Sequence, residues 1–333
     1  MNDAAPPTLR PRRSALYLPG NNARAMEKAR TLSADVLIFD LEDAVGPDAK
    51  AESRAKVCDA ISSGGYHPRE IVVRVNGLGT DWHDDDLAAV AASTADGVLV
   101  PKVESGEQVQ ALATVLDTLD APTSLRLWVM IETPRAILRV EEIASASDRL
   151  AGLVVGTNDL VNDLHSLHVP GRAPVLPALA LAMLGARAAG KAILDGVFNN
   201  ITDEAGFRAE ARQGREMGFD GKTLIHPSQL APANEVFGPS PEELTDARKI
   251  VSAYEQAQAT GDSVITVDGR MIESLHVRDA QRILALAELI SEMARPRWAD
   301  SSKISPKPLC EFRGTAVAID DSTSPGVGTT PTS

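Results

Sequence analysis

Two carboxylates, a guanidinium and a knot of acids each fall just after a short apolar run of this chain, where a buried strand would end and expose them. Glu132 follows Ile131, and Asp159 follows Gly156-Thr157-Asn158, at the ends of neighbouring runs. Two carboxylates at adjacent strand ends can reach one ion. Two carboxylates completed by water and a pair of substrate oxygens are a usual way of holding Mg2+, which dehydrates reluctantly. Mg2+ there would polarise the carbonyl of a 2-oxo acid and offset its carboxylate charge. The alternatives are a helix cap for Asp159 and a salt bridge for Glu132. Arg74 closes the third run. A guanidinium in that place binds carboxylate or phosphate, or stabilises an enolate oxygen, unless it only forms an ion pair with Glu42 or Asp43.

Asp40, Glu42 and Asp43 crowd one strand end and need cations nearby. Arg74 and Lys102 are the candidates, and one of the three acids can orient Arg74. A Schiff-base role for Lys102 requires a desolvated, neutral amine. Beside three acids it should stay protonated, as an electrostatic partner. His226 ends the eighth run and suits either acid–base exchange or a hydrogen-bonded structural role. Asp84-Asp85-Asp86, after Trp82-His83, resembles a metal cluster but better suits the first turn of a helix. His165 and His168 adjoin Pro170-Gly171, a loop signal, and receive no metal role.

Such residues need a scaffold that gathers strand ends. Eight short runs rich in Val, Ile and Leu fall at 14–18, 36–39, 71–75, 97–100, 125–131, 152–155, 192–194 and 222–225. Apolar runs without alternation suit strands buried on both faces, as in parallel sheets. Between them lie stretches of helical composition at 23–32, 50–62, 87–92, 108–119, 136–146, 176–189 and 205–217. Eight such β/α units predict an α/β fold, a closed (β/α)8 TIM barrel with its chemistry at the mouth formed by the strand ends. Beyond it the pattern predicts a helix over 242–259, a strand over 263–267, a turn at Asp268-Gly269 and a final helix over 277–295. The expected organisation is a disordered stretch 1–12, a barrel 13–260, a small C-terminal helical extension 261–298 that serves as lid or oligomerisation segment, and a disordered tail 299–333.

The chain has 333 residues and a formal charge of −13, which argues against nonspecific nucleic-acid binding. No apolar run reaches the ~18 residues of a membrane span, and residues 1–13 lack the apolar region of a secretory signal. Cys58 and Cys310, the two cysteines, match no zinc spacing. Reducing cytoplasm is the expected compartment.

Read in order, several of these segments resemble the citrate lyase beta subunit family, which includes malyl-CoA, β-methylmalyl-CoA and citramalyl-CoA lyases. The segments are Arg13-Ser14-Ala15-Leu16-Tyr17-Leu18-Pro19-Gly20-Asn21, Asp40-Leu41-Glu42-Asp43-Ala44-Val45, Arg74-Val75-Asn76, Pro101-Lys102-Val103-Glu104, Ile131-Glu132-Thr133-Pro134, Gly156-Thr157-Asn158-Asp159-Leu160, and Gly218-Phe219-Asp220-Gly221-Lys222 with Ile225-His226-Pro227-Ser228-Gln229. The resemblance implies a (β/α)8 barrel assembled as a homotrimer or hexamer, with Mg2+ on Glu132 and Asp159. It also implies that Arg74 contacts substrate and the developing enolate, and that Pro19, Asn21 and Lys102 line the same mouth, with Asp40, Glu42, Asp43, Asn76 and His226 in support. The implied reaction is a reversible Claisen-type cleavage of a 3-hydroxyacyl-CoA to a 2-oxo acid and acetyl- or propionyl-CoA. Gly269-Arg270-Met271-Ile272-Glu273 places Glu where the family often has the acid–base Asp that reaches a neighbouring subunit's mouth. That role is carried to Glu273. Asn158 stands where many relatives have Glu. Alternatives are a malyl-CoA-type thioesterase, a pyruvate aldolase acting on free aldehydes, a citrate lyase subunit acting on an acyl carrier protein thioester, and a non-catalytic relative.

Overall fold

A computed structural model of the protein describes residues 9–260 and 265–294. Eight parallel strands close into a barrel: β1 (Ser14–Pro19), β2 (Val36–Asp40), β3 (Glu70–Arg74), β4 (Gly97–Val100), β5 (Arg126–Ile131), β6 (Leu150–Val155), β7 (Ala192–Asp195) and β8 (Gly221–Leu224). β1 pairs with both β2 and β8, which closes the ring. Around it run α1 (Ala23–Ala29), α2 (Lys50–Ser62), α3 (His83–Ala91), α4 (Gly106–Thr118), α5 (Pro134–Leu138), α6 (Val140–Ser145), α7 (Thr157–Asp163), α8 (Leu176–Ala188), α9 (Glu204–Met217), α10 (Leu230–Phe237) and α11 (Pro241–Thr260). The expected (β/α)8 barrel is the fold found.

Each strand divides its side chains between two cores, because successive residues face opposite sides. Outward residues such as Leu37, Phe39, Val73 and Val129 meet the helices. Inward ones, among them Val36, Ile38, Val72, Leu99, Trp128 and Leu194, fill the lumen. Trp128 is the bulkiest, and glycines make room for it. A Cβ on Gly97 or Gly152 would stand 3.0 or 2.7 Å from its ring. The Arg12 guanidinium stacks 4.7 Å over the Trp128 ring and pairs with Glu70 at 2.7 Å, closing the N-terminal end. Arg10, Arg12 and Arg13 pair with Asp96, Glu70 and Asp35, acids at or just before the strand starts. Residues 1–8 lie outside the described residues.

Three helical details depart from expectation. The stretch 136–146 is not one helix: it breaks at Arg139 (φ −118°) into α5 and α6. α7 and α10 were not foreseen. After α11 come β9 (Ile265–Val267) and β10 (Arg270–Ile272), an antiparallel hairpin turning at Asp268-Gly269, and α12 (Ser274–Ala294). Val267, Ile272 and Val277 pack with Ile250, Ala253 and Tyr254, which joins this unit to α11. The positions expected to form the tail, 299–333, lie outside the described residues.

Candidate active site at the barrel mouth

Asp40 and Arg74 are register partners, the inward-facing last residues of β2 and β3. Arg74 grips Asp40 through two bonds of 2.7 Å, Nε to Oδ1 and Nη2 to Oδ2. Its Nη1 lies 2.9 Å from Glu42 Oε2 and 3.2 Å from Asp43 Oδ2. The sequence left open which of the three acids orients Arg74; all three do. The loop folds back because Asp40 also accepts the backbone N–H groups of Glu42 and Ala44, at 3.0 and 3.1 Å. Lys50 fixes it from behind, donating to the Leu41 and Glu42 carbonyls at 2.9 and 2.7 Å. A guanidinium has five N–H groups. Three bond to Asp40 and Asp43 and Nη1 also reaches Met130 Sδ at 3.8 Å, which leaves one Nη2 hydrogen for another acceptor. The guanidinium sits 4.8 Å over the ring of Tyr17, whose phenol is pushed well above its ordinary range by burial.

On the far side, Glu132 follows the end of β5 and is 2% exposed. Its Oε1 accepts the Lys102 backbone N–H at 2.8 Å. Gly156 is required here, since a Cβ would come 2.3 Å from Glu132 Oε2. Asp159 is not at a strand end, as the sequence suggested: Gly156 caps α7, and Asp159 is carried in that helix's first turn. Lys102 Nζ lies 3.4 Å from Asp159 Oδ1. Lys102 thus remains a protonated electrostatic partner, its pKa raised by Asp159 and Glu132 against the opposing effect of burial.

The electrostatics are unbalanced. Asp40, Glu42, Asp43, Glu132 and Asp159 face three cations, Arg74 and Lys102 at the mouth and Lys50 behind the loop. Burial, then Asp159, pushes the Glu132 carboxyl up to about 8. Burial, only partly opposed by Arg74, pushes Glu42 up to about 7. Such carboxyls are short of positive charge, and a divalent cation between Glu132 and Asp159 would supply it. Among the described residues no group of three or more His, Cys, Asp or Glu forms a metal cage. Two carboxylates with room for water suit Mg2+ rather than zinc.

A cavity of about 360 Å³ opens between the two halves, walled by Tyr17, Pro19, Asp40, Asp43, Arg74 and Met130 and by Val155 to Asp159. Other predicted residues point elsewhere. Asn76 is buried, with its backbone and side-chain N–H groups on Asp86 at 3.0 and 2.6 Å, so it braces α3. The acid triplet is the first turn of α3, as read from the sequence. Asn21 is exposed and donates to the Ala44 carbonyl at 3.3 Å. His226 is exposed and caps a turn through Ser228. Glu273 precedes α12, exposed, its N–H on His276 Nδ1 at 3.0 Å, and does not line the cavity. Tyr17, Met130 and Lys50 had been given no role. Tyr17 was readable as the inward residue between Ala15 and Pro19, two positions from each.

A profile of the HpcH/HpaI aldolase/citrate lyase family matches residues 13–227. The chain is 48% identical over 281 residues to a (3S)-malyl-CoA thioesterase of Cereibacter sphaeroides, covering 84% of this chain and 96% of that protein. It is 35% identical over 310 residues to the L-malyl-CoA/beta-methylmalyl-CoA lyase of the same organism, covering 86% and 98%. The crystal structure of the CitE protein of Mycobacterium tuberculosis in complex with magnesium, acetoacetate and coenzyme A superposes with a TM-score of 0.64 at 30% identity, covering 83% of this chain and 97% of that one.

Proposed function

The chain belongs to the HpcH/HpaI aldolase/citrate lyase family, and from that premise we propose that it hydrolyses the CoA thioester of a 3-hydroxydicarboxylic acid of the malyl type. The sequence alone ranked carbon–carbon cleavage first and hydrolysis second. The 48% identity to a thioesterase, against 35% to a lyase, supports the reverse order. The observation that carries the reading is one cavity walled by a partly committed guanidinium, Arg74, and by Asp159, with the buried and charge-deficient Glu132 directly behind Gly156 of that wall.

Glu132 and Asp159 would hold Mg2+, which supplies positive charge for the carboxylate and hydroxyl of the substrate's acid end. The remaining Nη2 hydrogen of Arg74 donates to the thioester carbonyl oxygen and stabilises the charge that grows there. Glu42 stands behind the cavity wall, 2.9 Å from Arg74 Nη1, and with a pKa of about 7 it suits a general base near neutral pH for a water drawn in beside Arg74. It takes a proton from water as the water oxygen bonds to the carbonyl carbon. The carbon–sulfur bond then breaks and the leaving thiolate takes the proton. Tyr17, neutral and buried under Arg74, keeps the guanidinium plane fixed.

Carbon–carbon cleavage is the second reading, favoured by the lyase relative that matches nearly end to end. It needs a base at the 3-hydroxyl. Glu273, on a unit that does not line this chain's own mouth, would serve only from a neighbouring subunit in a homo-oligomer. Purified protein is incubated with malyl-, citramalyl-, β-methylmalyl- and citryl-CoA, with Mg2+ or EDTA, while free thiol and 2-oxo acid are followed in parallel. Thiol released with the hydroxy acid intact supports hydrolysis. Oxo acid and acyl-CoA without thiol refute it in favour of the lyase. Turnover requiring a carrier-protein thioester would make the chain a complex subunit.

A further inference from the structure

A second cavity, of about 510 Å³, adjoins the mouth, and Thr157 and Val197 line both. The two loops that carry these residues are held in place: a Cβ on Gly196 would stand 2.4 Å from Thr157 Oγ1, so the β7 exit packs on the α7 start. Asn158 and Asn199 exchange amide hydrogen bonds of 3.2 and 2.8 Å, tying the same two loops together. The side cavity has an apolar part, with Val161, Val175 and Phe198 among its lining, and is lined also by His168, Asn199, Asn200 and Gln213. Two of its charges are paired, and Asp203 caps α9. Arg172 is held by Asp195 at 2.7 Å, Glu210 by Lys222 at 2.8 Å, and Asp203 accepts the Gly206 N–H at 2.8 Å. Arg172 is the one permanent cation among the lining residues. The space thus offers apolar surface and no uncommitted permanent cation.

We propose that this side cavity is an alkyl subsite, taking an unbranched substituent of two or three carbons on the hydroxyl-bearing carbon of the substrate. The inference rests on the malyl-type reading above. The acid end lies against Glu132 and Asp159, and Thr157, in the same helical turn as Asp159, stands between it and the side cavity. A methyl or longer chain pointing past Thr157 and Val197 enters apolar space. A carboxymethyl group, as in a citryl thioester, would enter a space whose permanent cation is already paired and whose lining carries Asp203 and Glu210.

The test uses the Mg2+-loaded full chain and isothermal titration with 2-oxo acids, which present the carboxylate and adjacent oxygen of the acid end. Glyoxylate, pyruvate, 2-oxobutanoate, 2-oxopentanoate and oxaloacetate vary the substituent from hydrogen to propyl and carboxymethyl. Affinity is expected to rise roughly fourfold per added methylene beyond pyruvate, with oxaloacetate bound more weakly than 2-oxobutanoate by about tenfold or more. Ala209→Trp and Leu167→Trp fill the side cavity from exposed positions that do not line the mouth. Both should flatten the alkyl series and leave glyoxylate binding unchanged. A wild-type series that is flat or falling, or a rise that survives in both variants, overturns the proposal. Malyl-CoA hydrolysis measured in parallel separates the two claims. Hydrolysis with a flat series refutes the subsite alone, and a rising series without hydrolysis refutes the thioesterase alone.

Discussion

Two charged clusters sit on one barrel, built from the same residue types, and they behave oppositely. Outside the strands, between β7, β8 and α9, Lys222 Nζ lies 2.9 Å from Asp195 Oδ2 and 2.8 Å from Glu210 Oε1, while Arg172 closes on Asp195 at 2.7 Å. Two cations meet two acids. Burial alone would raise the Asp195 pKa, yet Lys222 and Arg172 override it and hold that carboxyl below its ordinary value. At the mouth five carboxylates meet three cations, Arg74, Lys102 and Lys50, and Glu42 and Glu132 are pushed up to about 7 and about 8. A buried charge that is fully matched serves the fold. One left short of its counter-charge marks a place where something else binds.

The sharpest way to break this contrast is to neutralise one acid on each side. Glu132→Gln should lower turnover by about two to three orders of magnitude, read as thiol release from malyl-CoA at saturating Mg2+. Its melting temperature without metal should hold near neutral pH, because Gln is a neutral isostere of the protonated carboxyl, and should exceed that of the wild type above about pH 8, where Glu132 must ionise. Lys222→Met should do the converse. It leaves Asp195 buried with fewer partners, a loss of about 3–5 kcal/mol in denaturant unfolding, while turnover per folded molecule stays near wild type. If Glu132→Gln instead destabilised the protein and spared turnover, the mouth would be a structural cluster like the other.

The pH dependence of stability sharpens the same contrast. Glu132 has a raised folded pKa of about 8 against an ordinary 4.5. Between those values the native state holds a proton that the unfolded chain has lost. Metal-free stability therefore falls as pH rises across that window, by up to about 1.4 kcal/mol per pH unit. Glu42 adds to the slope up to about pH 7. Mg2+ favours the ionised pair and should flatten the curve. Asp195 has the opposite sign. Its depressed pKa contributes stability above the ordinary 3.8 that is lost as pH falls through the folded value. Urea unfolding from pH 3 to pH 9, with Mg2+ and with EDTA, separates the two. An alkaline slope indifferent to Mg2+ would refute the assignment of Glu132 as a ligand.

Most of the barrel was legible because its signal is local. All eight strands fall within two residues of their predicted positions, since a strand buried on both faces declares itself as an apolar run. α7 was not legible: Gly156-Thr157-Asn158-Asp159 reads equally as a strand end or a helix start, and only the close approach of Gly156 to Glu132 decides it. The site was legible as residue types but not as partnerships. Arg74 and Asp159 line one cavity, and Lys102 reaches Asp159 with its side chain and Glu132 with its backbone N–H. Asn76 and His226 carry the same chemical promise in sequence, yet their partners are Asp86 and Ser228. Tyr17 was hidden by its ordinary place in an apolar run, and Lys50 by its place on a helix facing backbone carbonyls rather than acids.

His226 gives the smallest expected effect and a fair test of reading function from unmet charge. Its Nδ1 accepts the Ser228 N–H at 3.2 Å, and Gln229 Oε1 returns to the His226 N–H at 3.3 Å. Those bonds complete a capping box at the end of β8, and they leave the ring exposed beside the mouth rather than in it. Removing one cap while Gln229 keeps its own bonds should cost about 0.5–1 kcal/mol. His226→Ala should therefore melt slightly earlier, with kcat and its pH profile unchanged, because the acid–base step is assigned to Glu42. A tenfold loss of kcat, or the disappearance of a pH limb between 6 and 7, would place the imidazole in the reaction. Matched hydrogen bonds would then no longer distinguish a structural group from a catalytic one in this barrel.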